Sequence, residues 1–306
     1  MDDNPLILDL NEDADANVWV RLFVTELIDR HGGAVSAILL YGSHLRGKRD
    51  TVLDFYILLN DYAQGIAGVF HQVANRILPP NVYHLTLKKG DRSCAAKFAT
   101  VTLAQFEHEI SRRFHSYFWA RFAQPFVLAY ARDESVEQRL SDAGRAAARR
   151  MMESVIPMLA PEFSTDALWK RAFTLTYDCE LRAEDRGKAA ELFAAYAEPL
   201  AAVTDALAPE LALSRIGDHR WRSELSGAHR RAAAWSWRLR RVEGKLLSIA
   251  RLFKAAFTFN DPLDYILWKV ERHSGIHMEP TALQRRHPLI FSWGLLWRLY
   301  RLGGFK

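Results

Sequence analysis

Two short stretches in the first part of the chain constrain its fold most strongly. Residues 39–47 form an apolar strand that breaks at Gly42-Ser43, and residues 53–61 form a second strand that carries Asp54 near its start. Small residues let backbone N–H groups approach a phosphate, and a carboxylate on the next strand can hold Mg²⁺. The pattern therefore predicts a phosphate site and a metal site side by side.

The composition indicates a globular protein with an anionic partner. The 306 residues, 49% of them hydrophobic, can bury a sizeable core and leave room for two domains. The net charge of +5 favours a nucleotide, a nucleic acid or an acidic membrane surface. Cys94 and Cys179 do not form a metal-ligand pair, and the first residues lack a signal-peptide pattern, so we expect a cytoplasmic protein. No stretch approaches the roughly 20 apolar residues of a membrane span, so we expect any membrane contact to be peripheral.

Hydrophobic spacing predicts an α/β part followed by a helical part. A helix is predicted from Asn17 to His31, where Gly32-Gly33 ends it. Strands are predicted over 35–41, 52–59, 82–87 and 97–103, and a helix over 70–77. From Gln105 onward the pattern is helical, with helices over 106–122 and 135–159 and a helix start within 163–168. We therefore expect an α/β domain over 1–145 and a mainly helical domain over 146–306.

The Gly-Ser strand end followed by an Asp strand resembles the nucleotide site of polymerase-β-type nucleotidyltransferases. That superfamily has a second acid two residues after the first, where this chain has Tyr56. The mitochondrial phosphatidate cytidylyltransferases, called translocator assembly and maintenance proteins, and their bacterial relatives also lack the second acid. They share the Tyr-Gly-Ser strand end, so Tyr56 is similar to what this family has.

Further matches to this family follow in order along the chain. Residues 97–101 resemble its Lys-Tyr-Gly-Val-Ile strand, and residues 176–182 resemble its Ser-Tyr-x-Gly-Asp-x-Arg element. Tyr117, Arg121, Gln124 and Pro125 resemble its Leu-Tyr-x-Ala-Gly-Arg-Leu-Gln-Lys-Pro segment, and residues 254–258 resemble its late Lys-Gly-Ile-x-Thr element. The chain departs from the family at Ala99, at Cys179-Glu180 and before Thr258, where glycines are lost. These departures bear on loop geometry and substrate identity more than on fold.

The resemblance implies a polymerase-β-type nucleotidyltransferase domain joined to a mainly helical, winged-helix-like domain. It implies that phosphatidic acid attacks the α-phosphorus of CTP, with Mg²⁺ as cofactor, to give CDP-diacylglycerol and pyrophosphate. The implied catalytic residues are Asp54, Lys97 and Arg121. The implied nucleotide-binding residues are Tyr41, Gly42, Ser43, Tyr177 and Arg182, and the implied metal ligands are Asp54, Asp61 and Glu109.

Several of these residues also have a purely structural interpretation. Asp61 can close a turn after the second strand, and Glu109 can interact with a helix dipole. Lys97 can be a solvated charge at a strand edge. Tyr177, Glu180 and Arg182 lie on an otherwise apolar helix. An Arg–Glu pair there could be a packing salt bridge between domains.

The C-terminal stretch 288–302 predicts a contact with an anionic membrane. Trp293, Trp297 and Tyr300 fall on one helical stripe flanked by two arginines, Arg298 and Arg301, and aromatic rings beside cations suit the bilayer interface. The alternative is a final helix docked on the protein core. The resemblance places the protein peripherally at the inner face of the cytoplasmic membrane.

A basic segment over residues 229–241 could bind nucleic acid or phospholipid headgroups. Such a segment is more often a solvated helix face, and we expect no nucleic-acid partner.

Two other functions stay open on the sequence. One is a nucleotidyltransferase that acts on another small molecule, a protein or RNA, whose activity would survive loss of the C-terminal aromatic stripe. The other is a non-catalytic, membrane-associated scaffold of the same fold, which the lost glycines and the single strand carboxylate suggest. CTP binding that needs Mg²⁺ and Asp54 would argue against the scaffold.

Overall fold

The computed structural model describes residues 4–10, 14–48, 52–180 and 187–258, together with 278–281, 283–284, 294, 297–298 and 301. The chain forms two compact units, residues 1–246 and 247–306. The first unit contains the residues of the candidate site that the structure describes. Arg182 and, in the C-terminal stripe, Trp293 and Tyr300 lie outside the described residues.

A mixed six-stranded sheet lies at the centre of the first unit. Its strands are Ile7–Leu8 (β1), Val35–Tyr41 (β2), Leu53–Leu59 (β3), Asn81–Lys89 (β4), Arg92–Thr102 (β5) and Phe126–Ala131 (β6). Their spatial order is β1-β6-β2-β3-β5-β4, with β2 and β3 antiparallel and β3 and β5 parallel. The four predicted strands are confirmed as β2 to β5. The α/β fold class is confirmed with them.

Helices cover both faces of this sheet. The helices up to residue 155 are Ala14–His31 (α1), Tyr62–Gly65 (α2), Val69–Ile77 (α3), Leu103–Ser111 (α4), Trp119–Phe122 (α5) and Glu134–Val155 (α6). Phe23 of α1 packs with Phe55 on one face. Phe106 of α4 and Phe122 of α5 pack with Tyr56 on the other face. The candidate site lies at the edge of this second layer.

The predicted helix over 106–122 is wrong in its middle. The chain leaves helical geometry between α4 and α5. Arg150 of α6 donates hydrogen bonds to two carbonyls there. One is that of Ile110 in the last turn of α4, where helix carbonyls lack partners within the helix, and the other is that of Arg113, two residues beyond the end of α4. The break therefore depends on a residue that lies 37 or more positions away along the chain.

The rest of the first unit is mainly helical. It contains Thr165–Tyr177 (α7), Lys188–Ala195 (α8), Ala197–Leu207 (α9) and a small antiparallel sheet of Glu162–Ser164 (β7), Ser214–Gly217 (β8) and Arg220–Arg222 (β9). The predicted helix start is confirmed, since the Ser164 hydroxyl accepts a hydrogen bond from Ala167 N at 3.1 Å. The predicted boundary at residue 145 falls inside α6, and the two predicted domains stay a prediction.

Helix Gly227–Thr258 (α10) is 32 residues long. Across the described part of the chain, no helix has both the length and the apolar run that crossing a bilayer requires. In the C-terminal stretch, Trp297 is 61% exposed, and the Arg301 guanidinium lies 4.9 Å from the centre of its ring.

Replacing Gly244 by alanine is expected to destabilise the first unit. A Cβ atom at Gly244 of α10 would lie 2.3 Å from the backbone oxygen of Cys179, closer than atoms can approach. The helix must then shift, which costs about 1–3 kcal/mol of unfolding free energy. Urea unfolding measures the change. Gly227→Ala in the same helix is the control, because its Cβ would lie 3.5 Å from the Arg231 guanidinium, an ordinary contact; equal losses in both variants would contradict the packing argument.

Candidate functional site

The turn after β2 brings Gly42 against the carboxylate of Asp54. Tyr41, the last residue of β2, pairs directly with Asp54 of β3. Gly42 has a φ of 95°, which a residue with a side chain rarely adopts. A Cβ at this position would lie 2.9 Å from Asp54 Oδ2. Glycine is therefore needed twice, once for the backbone angle and once for the space beside the carboxylate. Ser43 follows and opens a 3₁₀ turn that ends at Arg46.

Asp54 belongs to a row of residues that crosses four strands. Tyr41 pairs with Asp54, Asp54 pairs with Lys97 of β5, and Lys97 pairs with His84 of β4. Directly paired residues present their side chains to the same face, on strands about 4.8 Å apart. The row therefore places a carboxylate and an ammonium group on neighbouring strands beside the Gly42-Ser43 turn. Lys97 and Asp54 are half-buried, and His84 is exposed.

Arg121 of α5 lies beside this row, among aromatic rings. Its guanidinium donates a hydrogen bond to the Tyr56 hydroxyl at 3.1 Å and lies 4.3 Å and 5.6 Å from the ring centres of Tyr117 and Tyr41. Cation–π contacts of this kind stabilise a partly desolvated guanidinium. Glu180, after α7, lies 4.0 Å from the same guanidinium. Burial disfavours the charge on Arg121, but the surrounding oxygens raise its pKa well above the ordinary value.

Tyr56 stands where the polymerase-β-type pattern has its second acid. Its side chain is fully buried, and burial raises the pKa of its hydroxyl well above the ordinary value. The hydroxyl therefore stays protonated and accepts the hydrogen bond from Arg121. A second carboxylate at this position would be a metal ligand, whereas Tyr56 positions a cation at the same end of the sheet.

Of the predicted nucleotide-binding residues, Tyr41, Gly42 and Ser43 are consecutive at the end of β2, whereas Tyr177 comes from α7. Tyr177, at the end of α7, is half-buried, and its backbone carbonyl accepts a hydrogen bond from Glu180 N at 3.0 Å. This turn carries Glu180 to Arg121. The resemblance at residues 176–182 thus falls on a segment that borders the candidate site as far as the structure describes it.

Asp61 and Glu109, two of the predicted metal ligands, have other partners. Asp61 lies two residues beyond Leu59, the far end of β3, which is about 17 Å of strand away from Asp54. Its side chain accepts a hydrogen bond from Ala63 N at 3.1 Å as the cap of α2. Glu109 of α4 is 1% exposed, and its two oxygens lie 3.0 Å from Arg113 and 3.4 Å from His115. The structure does not place either carboxylate in the row with Asp54.

The residues present fit a metal that arrives with a nucleotide. Within the described ranges, no three His, Cys, Asp or Glu side chains are grouped as a metal cage. Mg²⁺ is commonly bound through one or two carboxylates together with substrate phosphates and water. Asp54, a half-buried carboxylate against the backbone of Gly42, suits that mode of binding. The carboxylate would supply one ligand and the phosphates the others.

Arg46 is a further cation beside Gly42, and no sequence motif pointed to it. Its guanidinium donates a hydrogen bond to the Gly42 carbonyl at 3.1 Å. Its Nε is buried and forms no hydrogen bond within the described structure. Arg46 lies four residues after Gly42 in the 3₁₀ turn, so only the geometry of that turn reveals that it faces back towards the strand end.

Cys179, which stands where the family that the sequence resembles has glycine, is expected to be chemically inert. It is 2% exposed, and burial raises the pKa of its thiol to about 11. At pH 8 only about one thiol in a thousand is ionised. Iodoacetamide should therefore label native Cys94 well before Cys179, as followed by mass spectrometry. A raised thiol pKa also makes stability fall as the pH rises from about 9 through 11, because the unfolded chain loses its proton first.

A Cys179→Ala variant should show a shallower loss of stability across this alkaline range than Cys94→Ala, because burial also raises the pKa of the half-buried Cys94 thiol but has its larger effect at Cys179, where the pKa rises to about 11. Rapid labelling of Cys179 in the folded protein would contradict the burial argument.

Comparison with known proteins assigns no family, since no profile of a known protein family and no curated protein matches the chain.

Proposed function

We propose that this chain is a nucleotidyltransferase of the polymerase-β type that makes CDP-diacylglycerol from CTP and phosphatidic acid. The observation that carries the proposal is the contact distance between Gly42 and Asp54, where a side chain at Gly42 would lie 2.9 Å from the carboxylate. A glycine turn with a carboxylate directly beside it suits a triphosphate and its Mg²⁺. Lys97, paired with Asp54, adds a cation to the same place.

The reaction joins the phosphate of phosphatidic acid to the α-phosphate of CTP and releases pyrophosphate. An oxygen of the phosphate monoester attacks the α-phosphorus of CTP, a new P–O bond forms, and the bond to the β-phosphate breaks as pyrophosphate leaves. Mg²⁺ held by Asp54 would neutralise phosphate charge. Backbone N–H groups at Gly42 and Ser43 would hold the triphosphate, while Lys97 and Arg121 would stabilise negative charge that develops in the transition state.

The choice of acceptor rests on the resemblance described above. The motifs at residues 97–101 and 117–125 fall on β5 and around α5, which carry Lys97 and Arg121. In addition, α6, β7, the helices α7 to α9 and the β8–β9 hairpin follow one another in the order of a winged-helix unit. Both features support the family's two-domain arrangement.

The test is a reaction with purified full-length protein. Labelled CTP, Mg²⁺ and phosphatidic acid vesicles should yield CDP-diacylglycerol and pyrophosphate in equal amounts, and EDTA should stop the reaction. Diacylglycerol lacks the phosphate nucleophile and is the matched control acceptor. Pyrophosphate release with other acceptors but not with phosphatidic acid would support the assignment as a nucleotidyltransferase and reject phosphatidic acid as its substrate. Folded protein that neither binds CTP with Mg²⁺ nor releases pyrophosphate would reject both.

A further inference from the structure

The outer side of α10 carries an apolar stripe that the first unit does not cover. Trp235, Leu239, Val242 and Leu246 are 60–62% exposed. Their spacing of four, three and four residues puts them on one side of a helix. We refer to these four residues as the outer stripe. Large apolar side chains aligned on a solvent-facing helix mark a contact surface.

The opposite side of the same helix is packed on the protein. Trp237 is 2% exposed and donates a hydrogen bond to the Ser154 carbonyl at 2.8 Å. Arg240 donates to the Phe114 carbonyl at 3.0 Å, and Gly244 lies against the backbone of Cys179. These residues are half a turn away from the outer stripe. One face of the helix therefore packs on the protein, and the outer stripe takes no part in that packing.

The charges of α10 select among the partners that could cover the stripe. The helix contains six arginines and two lysines but one glutamate. Exposed cations, Arg231, Arg238 and Lys245, follow one edge of the stripe, and the Arg238 guanidinium lies 4.9 Å from the centre of the Trp235 ring. A second copy of so cationic a helix would be repelled. Nucleic acid would use the cations but not the leucines and valine.

We infer that the outer stripe of α10 is a docking surface for an anionic lipid bilayer. Its apolar side chains would enter the interface between headgroups and acyl chains, and its cations would contact lipid phosphates and carboxylates. The inference goes beyond the proposed function, because charge and exposure favour an anionic bilayer whichever acceptor is used. Cys179, packed behind the stripe, adjoins Glu180, which lies 4.0 Å from Arg121. A docked bilayer would thus lie about one helix diameter, ~10 Å, from the margin of the candidate site.

Vesicle co-sedimentation of the full chain tests the inference. The probes are phosphatidylcholine vesicles with and without phosphatidylserine, an anionic lipid that is not the proposed substrate. Wild type should bind the anionic vesicles more strongly. Leu239→Glu with Val242→Glu should lower that binding by at least about tenfold, and Arg238→Glu with Lys245→Glu should remove the preference for anionic vesicles.

The matched control is Val69→Glu with Val73→Glu on α3, two apolar residues that are 73% and 50% exposed. This control should bind as wild type does. Unchanged vesicle binding in the stripe variant would overturn the inference. Three other results would assign the stripe to a different partner if vesicle binding of that variant stays unchanged. A change of oligomeric state in analytical ultracentrifugation would indicate a second copy, and a lower Tm would indicate contact with this chain itself. Loss of oligonucleotide binding would indicate nucleic acid.

Asp54→Ala should keep its vesicle binding, which separates this inference from the proposed function. Loss of transfer activity with intact docking would concern the active site alone. Docking that does not depend on the outer stripe, in a protein that still makes CDP-diacylglycerol, would reject this inference and leave the proposed function standing.

Discussion

Under the proposed function, Asp54→Asn is expected to lower the rate of CDP-diacylglycerol formation by about 10³-fold or more, because the loss of a carboxylate that would hold Mg²⁺ removes about 4 kcal/mol of transition-state stabilisation. Asparagine keeps the shape of the side chain beside Gly42 but not its charge. The fold should therefore remain intact. Product formation at saturating CTP and Mg²⁺, together with the unfolding midpoint, measures both effects.

Asp61→Asn is the matched control for this change. Asp61 caps α2 at the far end of β3, and asparagine is as good a cap as aspartate. Both activity and stability should stay close to those of the wild type. If Asp61→Asn abolishes activity, or if Asp54→Asn retains it, the assignment of the metal site to the Gly42 end of β3 is wrong.

The strands and the first site residues could be predicted because their signals are local. A seven-residue run, apolar except for Ser36, that ends at Gly42-Ser43 fixes β2 and its turn. The next apolar run fixes β3 with Asp54 near its start. An antiparallel pairing between neighbours in sequence then follows from the short connection. Local patterns thus suffice to bring Gly42 to Asp54.

The contacts of Arg121 could not be predicted, because they join distant parts of the chain. The guanidinium meets Tyr56, which lies 65 positions earlier, and Glu180, which lies on the turn after α7. No periodicity specifies such a meeting. For the same reason the resemblance implied Asp61 and Glu109 as metal ligands, while the fold gives them a capping role and an ion-pair role.

β6 is missed for a different reason. Its six residues are apolar or small and follow a helical stretch, and a short apolar run does not distinguish a buried strand from a helix. Its antiparallel pairing with β2 makes this segment a strand and not a helix. That pairing places β2 inside the sheet with β3 on its other side, which stabilises the strand end at Gly42.

The structure suggests why a nucleotidyltransferase site could work with one strand carboxylate. With a second acid, the site would gain a metal ligand and a negative charge. With Tyr56, a neutral hydroxyl holds Arg121 at the same end of the sheet. A cation fixed there can stabilise phosphate charge directly, since hydrogen bonds from a guanidinium to phosphate are short and strong. Arg121 and the metal at Asp54 would then share the neutralisation of the phosphates.

Arg121→Met is therefore expected to lower kcat by about 10²-fold or more, as removal of a preorganised donor to a transition-state charge does. It should also destabilise the protein by about 1–3 kcal/mol, because the Tyr56 hydroxyl loses this donor and Glu180 loses a cation that lies 4.0 Å away. The side chains of Arg121 and Glu180 are 13% and 16% exposed, so little water replaces them. Steady-state kinetics with CTP and urea unfolding separate the two effects.

Arg150→Met distinguishes a catalytic role of Arg121 from a structural one. Arg150 is also partly buried, lies 5.7 Å from the centre of the Trp119 ring and donates to the Ile110 carbonyl at 2.7 Å. Its loss should reduce stability by a comparable amount and leave kcat unchanged. The kcat of Tyr56→Phe should lie between those of Arg121→Met and Arg150→Met. The loss is modest because Arg121 keeps its charge but loses its hydrogen bond to the Tyr56 hydroxyl. If Arg150→Met lowers kcat as much as Arg121→Met does, Arg121 acts through stability and not on the phosphates.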